Sequence, residues 1–281
     1  MNAVLPSVLG ALALVFAGAI ALGLFIHRAY VRRVRNGGPD QHFGGDGMSG
    51  AVGFIGGAAA FLLSVLMLAS LDHYNSTKGI VANEALAYAA AFDSTDGLAP
   101  SDQPEIQRDI VCLMRSVATY SWAAAEKGSL SGSPNTHAWR RRANAHANGI
   151  IPKTKGQEDS LNTLQEKLID ASESGQQRLL AADSDLPLAL WVLVMVSIFV
   201  LTSVLTALLA GHPSRILAIA GLVSVLALST AMLWTLTTFD EPFTQGDGVY
   251  ISPRAINAVL VRLQGTYPGV GWGECEMLAD S

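Results

Sequence analysis

Residues 47–92 read GMSGAVGFIGGAAAFLLSVLMLASL followed by DHYNSTKGIVANEALAYAAAF, and this stretch decides the fold. Its first part, 47–71, carries no charge. That is longer than the roughly 20 residues a helix needs to cross about 30 Å of hydrocarbon. Nothing breaks the helix at Asp72, where the apolar run ends. Tyr74, Val81, Ala85, Tyr88 and Phe92 continue at helical spacing along one face. The stretch therefore predicts one long helix over 49–92, with Ser49 as its N-cap. At 1.5 Å per residue it would be roughly 65 Å long and would outrun the bilayer.

Three further stretches are uncharged: 1–26, 186–211 and 216–239. The chain is 50% hydrophobic and 15% charged, whereas a typical soluble domain is about 25% charged. A buried helix of a soluble protein explains one such stretch but not four. The predicted fold class is an all-α membrane protein with four transmembrane helices, at about 4–26, 49–71, 186–210 and 216–239. A polar helical bundle, 72–185, lies between the second and third. The first stretch does not read as a cleaved signal peptide. Nothing basic precedes Val4, the apolar run exceeds 7–15 residues, and Arg28, Arg32, Arg33 and Arg35 come after it. It reads as a retained anchor, so residues 1–71 form a first pair of spans.

Turn signals divide the polar region. A helix is expected over 105–126, with Ile106, Ile110, Leu113, Val117, Tyr120 and Ala124 as its apolar stripe. A short, Arg-rich helix is expected over 136–147. A long amphipathic helix over 157–182 carries Leu161, Leu164, Leu168, Ala171 and Leu179 on one side. Such stripes bury against one another in a helical bundle. Pro187 opens the second hairpin, 186–240, at a position where proline is tolerated. The last part, 241–281, holds a short helix over 253–264. Ser252 is its N-cap, and Ile256, Val259, Leu260 and Leu263 form its apolar face.

Basic residues near the spans indicate sidedness. The side of the two short loops has Arg28, Arg32, Arg33, Arg35 and Arg215. The other side has Lys78, Arg178 and Arg254. This balance puts the N-terminus, the polar domain and the C-terminus on the non-cytoplasmic side of the membrane. The two cysteines, Cys112 and Cys275, are too few for a disulfide framework or a Cys-based zinc site. In an oxidising compartment they form a bond that pins the C-terminal segment to the domain; the alternative is two unrelated buried thiols.

The layout resembles a bacterial family described as bestrophin-like. The likeness rests on two spans, an insertion opening Leu71-Asp72-His73-Tyr74-Asn75, and a second hairpin opening Asp185-Leu186-Pro187. The ending Phe239-Asp240-Glu241-Pro242-Phe243 is similar to the acidic-Pro-Phe motif that follows the last span of bestrophins. In layout the resemblance covers about residues 4–263. It implies an oligomeric anion channel, typically a pentamer, whose second span lines the pore. The sequence departs from the pattern at Thr244, where a glycine commonly follows Pro-Phe. Bestrophins also hold their large helical domain in the cytoplasm, opposite to the side indicated by the arginines here.

On that resemblance the second span is the pore candidate. Gly53, Gly57 and Ser64, with Gly50 and Ala60, form a small-residue stripe. Phe61 and Leu68, with Phe54 and Val65, form a bulky one. Bulky residues on an axis constrict by dewetting, and small ones let helices approach closely. The other reading is that both stripes only pack helices within one subunit. Asp72 and His73 are pore-mouth candidates or part of a solvated turn. Asp240 and Glu241 pair with Arg178 or Lys78 or stay solvated, the other reading being an ion site at the exit of the fourth span. Arg140, Arg141 and Arg142 form an anion-attracting patch or a solvated helix face.

No Walker loop, His-Glu-x-x-His, nucleophile elbow or Cys-x-x-Cys occurs, and the six histidines lack metal-ligand spacing. No catalytic residue, metal or cofactor is therefore expected. The mild net charge of −5 gives no ground for nucleic-acid binding. The spans hold no charged residue, which disfavours an ion-coupled transporter. The leading expectation is a homo-oligomeric channel in the lipid bilayer, conducting anions passively. The alternative is a non-conducting membrane protein whose helical domain binds a membrane protein complex or an envelope component.

Overall fold

A computed structural model describes residues 4–36, 46–182, 188–210, 214–240, 242–243, 250–268, 270, 272–273 and 275. Among these the chain is helical, without a strand. The elements are α1 (Val4–Arg35), α2 (Asp46–Ser94), α3 (Gln103–Ser116), α4 (Trp122–Ala125), α5 (Pro134–Gly149), α6 (Lys155–Leu180), α7 (Leu188–Leu209), α8 (Arg215–Asp240) and α9 (Arg254–Thr266). Among the described residues four helices, at Gly10–Arg35, Gly53–Gly97, Ala189–Leu209 and Ile216–Phe239, each contain an apolar stretch long enough to cross a membrane. The chain divides into two compact units. One comprises 1–72 and 186–240, the other 73–185 and 241–281.

In the first unit α1 packs on α7 through small residues. Ala19 is fully buried. At Gly23 a Cβ would come within 2.5 Å of the Ser203 carbonyl oxygen and 2.7 Å of the Thr206 Cβ. Only glycine permits that approach, because the neighbouring atoms are backbone and a short branched side chain. Leu12, Leu66, Val194, Ile198, Leu233 and Leu236 fill the rest of the interior. Polar side chains turn back on their own helices. The hydroxyls of Ser203 and Thr206 donate to the carbonyls of Phe199 and Thr202, each at 2.7 Å. In hydrocarbon this local bonding satisfies groups that water cannot reach.

The second unit is a helical bundle with a continuous core. Val81, Ala85, Tyr88 and Phe92 of α2 meet Ile106, Ile110 and Leu113 of α3, Trp139 and Ala143 of α5, Leu164 and Leu168 of α6, and Ile256 and Leu263 of α9. Helix α6 starts earlier than residue 157 because Thr154 caps it. The Thr154 hydroxyl accepts from the Gln157 amide, while the Gln157 side chain accepts from the Lys153 amide.

Two local expectations are corrected. Ser49 does not cap α2, which already begins at Asp46. Tyr120 and Ala124 do not continue the apolar stripe of α3. A π-turn over Val117–Ser121 adds a residue to the helical repeat. The buried face therefore shifts to Ser121, Trp122 and Ala125, and Tyr120 becomes exposed. Pro187, the expected start of the third span, lies outside the described residues, as do the Gly211–Pro213 part of the hairpin loop and Thr244.

Candidate functional site

Helix α2 buries Ala59, Leu66 and Ser70 within the membrane unit, with Leu63 partly covered beside them. That spacing occupies one face. The opposite face holds the pore candidates. Phe61 is 68% exposed and Leu68 67% exposed, and the neighbouring Phe54 is 78% exposed. Gly53, Gly57 and Ser64 are exposed between them. A Cβ built on Gly50, Gly53 or Gly57 meets nothing within 4 Å. Among the described residues, no other helix covers these positions. The face is apolar apart from Ser64, whose hydroxyl donates to the Ala60 carbonyl at 2.8 Å. By itself it offers no charged ligand to an ion, so it suits a constriction that works by dewetting.

The other candidates scatter. Asp72 is exposed and His73 half-buried on the same helix, one turn past Leu68. The His73 carbonyl accepts from the Thr77 hydroxyl at 2.8 Å. Asp240 ends α8, but its side chain, like all of Glu241, falls outside the described residues. Pro242 and Phe243 are buried in the helical domain. Phe243 meets Trp122 edge-on, with ring centroids 5.7 Å apart. The Pro242 carbonyl accepts from the Ile251 amide at 2.8 Å, and Trp122 donates to the Ile251 carbonyl at 3.0 Å. The Pro-Phe part of the motif thus serves as a plug between two segments of the domain.

The expected pairing of Arg178 with Asp240 or Glu241 falls outside the described residues, but among the described residues Arg178 has a partner within the domain. It is buried, and its Nε donates to Glu84 Oε2 at 2.7 Å, with both side chains almost wholly removed from solvent. Its guanidinium also donates to the Ser121 hydroxyl at 3.0 Å and lies 4.6 Å from the Trp122 ring centroid. Gly175 leaves room for the Glu84 carboxylate, since a Cβ there would come within 2.8 Å of Oε1. Tyr88 sits beside this pair. Burial, then the Glu84 charge, pushes its phenol well above the ordinary range, against the opposing pull of Arg140 and Arg178.

The three consecutive arginines do not make one patch either. Arg140 is directed to the Tyr88 and Gly175 region. Arg142 pairs with Asp109 at 3.1 Å and lies 5.3 Å from the Trp139 ring centroid. Arg141 is exposed. Successive helical residues point about 100° apart, so the triplet splits among three environments. Asp109 is almost fully buried and also meets His146 Nδ1 at 2.5 Å. Burial raises its carboxyl above the usual value, and His146 and Arg142 pull the other way.

Cys112 and Cys275 are bonded, with an S–S distance of 2.05 Å. Sequence reasoning missed Glu84, Trp122, Asp109 and His146. A signal existed for Glu84: it falls on the buried α2 face between Val81, Ala85 and Tyr88. A charge there requires a partner. Among the described residues no cluster of His, Cys, Asp and Glu is arranged to hold a metal ion.

Comparison with known proteins accords with this architecture. Among curated proteins none matches. Solved structures of a bacterial bestrophin homologue from Klebsiella pneumoniae, as single-substitution variants, share the fold. One superposes with a TM-score of 0.67 at 12% identity, covering 95% of this chain and 99% of that one. Another gives 0.65 at 11% identity, covering 90% and 98%. A further structure of the homologue gives 0.61 at 12% identity, covering 93% and 98%. The bestrophin-like domain matches residues 17–255, most of the sequence. With four apolar helices able to cross a bilayer, a bundle inserted between the second and third, and this match along its length, the chain is a membrane protein of the bestrophin-like family.

Proposed function

We propose that this chain assembles with copies of itself into a bestrophin-like channel that passes ions down their gradient, with anions as the permeant class and α2 nearest the axis. One observation carries the reading: among the described residues the α2 face of Gly53, Gly57, Phe61, Ser64 and Leu68 stands exposed. The four spans of a single chain, uncharged through their apolar cores, enclose no polar path. A conducting path has to form between copies, where this face meets its equivalents. Phe61 and Leu68 are then the constriction, the glycines set how closely neighbours approach, and Asp72 and His73 form a ring at the mouth.

Oligomeric mass in detergent is the first test. A symmetric oligomer is expected. A strict monomer would sink the channel and favour the non-conducting, partner-binding alternative. Planar-bilayer recording in chloride then tests conduction. Phe61→Ala is expected to raise single-channel conductance by widening the constriction, and an unchanged conductance would remove Phe61 from the path.

The proposal includes an orientation with the helical domain outside the cytoplasm. The arginine balance supports it, and more firmly once Arg178 is set aside as a buried structural charge. Of the three basic residues on the domain side only Lys78 and Arg254 remain exposed. The Cys112–Cys275 bond supports it too, since cytosolic reductants do not normally leave such a bond intact. An impermeant maleimide should label Ser131→Cys in intact cells. Labelling only after permeabilisation would reverse the orientation.

A further inference from the structure

We infer that the segment from Tyr267 to Cys275 is a strap across the end of α2, closed by a reducible latch, the Cys112–Cys275 bond, which a dithiol reductant opens. Among its described residues the strap carries no regular secondary structure beyond the end of α9. Its order therefore rests on what it touches. Trp272 stacks on Phe92, with centroids 6.2 Å apart and planes 19° apart. Tyr267 meets the same ring edge-on at 5.0 Å. Phe92 stands near the end of α2 and is fully buried. The Tyr267 hydroxyl donates to Asp96 at 2.8 Å, just beyond α2. Arg115 of α3 holds the far end of the strap, donating to the Gly273 carbonyl at 2.6 Å and the Trp272 carbonyl at 3.2 Å.

The two sulfurs differ in access. Cys112 is almost wholly buried in α3, whereas Cys275 is partly exposed. Attack from solvent therefore reaches the Cys275 Sγ. A dithiol's thiolate forms a mixed disulfide there, the bond to Cys112 breaks, and the Cys112 thiolate takes up a proton. The second thiol of the reductant then displaces Cys275 as a thiol. One disulfide and one dithiol become two cysteine thiols and one oxidised dithiol, with two electrons and two protons passing to the protein. An Arg115 Nη lies 3.7 Å from Cys275 Sγ. A cation beside that sulfur favours its thiolate. The same site can therefore be closed again by a disulfide oxidant.

Opening matters because the remaining grips are weak. They are half-exposed hydrogen bonds, two ring contacts and the packing of partly buried Tyr267, Val270 and Trp272 on the core, and such partly exposed contacts belong to the part of a structure that opens locally first. Release of the strap uncovers Phe92 and the end of α2. This inference does not depend on ion conduction.

Hydrogen exchange of the full-length protein in lipid nanodiscs tests it, read by mass spectrometry with and without a dithiol reductant. Thiol labelling should find no free cysteine before reduction and two after. Reduction should raise exchange at least about tenfold in peptides covering 88–97 and 267–275, with little change in α5 and α6. An oxidised dithiol should restore protection. Cys275→Ser should show the fast exchange at once and ignore the reductant. If thiol labelling confirms the broken bond and exchange at 88–97 and 267–275 stays the same, the latch is overturned. Free thiols before reduction would overturn it as well.

Discussion

In the membrane-spanning unit, helices meet through what is missing from them: the absent side chain of Gly23, the short ones of Ala19 and Ser203, and hydroxyls turned back on their own backbone. In the helical domain the contacts are made by large and polar groups: Trp122 and Trp139, the buried Glu84–Arg178 pair and the Cys112–Cys275 bond. The outer surfaces differ as sharply. Phe54, Phe61, Ile216 and Leu217 stand exposed on the spans, a surface that water would penalise and lipid does not. The contrast follows from the solvent. In lipid, burying an apolar group gains little, so close backbone approach and dispersion hold helices together. In water, burying an aromatic ring gains much, and a charge can be buried only beside its partner.

The comparison can be broken at its strongest point in the domain. Arg178→Met leaves Glu84 buried and unpaired. It should destabilise the domain by about 3–5 kcal/mol, seen as a lowered midpoint in denaturant. The double variant Glu84→Leu with Arg178→Met should recover a large part of that loss. If the double variant were as unstable as the single, the pair would not be the cause. Next in size is the covalent link. Cys275→Ser should cost about 2–4 kcal/mol in the same assay, and the loss should match that of the reduced wild-type protein.

The membrane unit should respond to volume and not to charge. Gly23→Ala forces a methyl against the Ser203 carbonyl and should cost about 1–3 kcal/mol. Gly57→Ala faces open space within the chain and should cost a monomer less than about 0.5 kcal/mol. If Gly57→Ala nonetheless abolishes the oligomer, measured by native mass, it marks the contact between copies. The smallest effect concerns pH. The folded Asp109 carboxyl has a raised value, so the folded state binds its proton more tightly than the unfolded state does. That contribution is fully present below the unfolded value near 3.8 and is lost as pH rises through the folded value. Relative to Asp109→Asn, the wild-type protein should thus gain stability as pH falls through that window. A constant difference between the two across pH would remove Asp109 from the account.

Much of the architecture was legible because hydrophobic length and period are local properties. Four uncharged runs give four spans, and the unbroken period after Asp72 gives a helix that continues from Asp46 to Ser94. The stripe on α6, Leu161 to Leu179, was readable for the same reason and is buried as expected. The stripe on α3 was readable only as far as Val117. A π-turn shifts the register there, and nothing in the Val-Ala-Thr-Tyr-Ser sequence announces it. The candidate face on α2 was visible as a pattern, but whether that face is covered within the chain was not.

The sequence by itself therefore determined the number of spans, the position of the inserted bundle and the apolar stripes. Each is set by the cost of transferring a run of neighbouring residues between water and hydrocarbon or core. Tertiary structure alone decided which charges pair, which sulfurs meet and which face of α2 is left uncovered. Arg178 finds Glu84 94 residues away, and Cys112 meets Cys275 across 163. Such pairings depend on distances that exist only after the helices have packed. A local pattern constrains which residues must be buried but not what they are buried against.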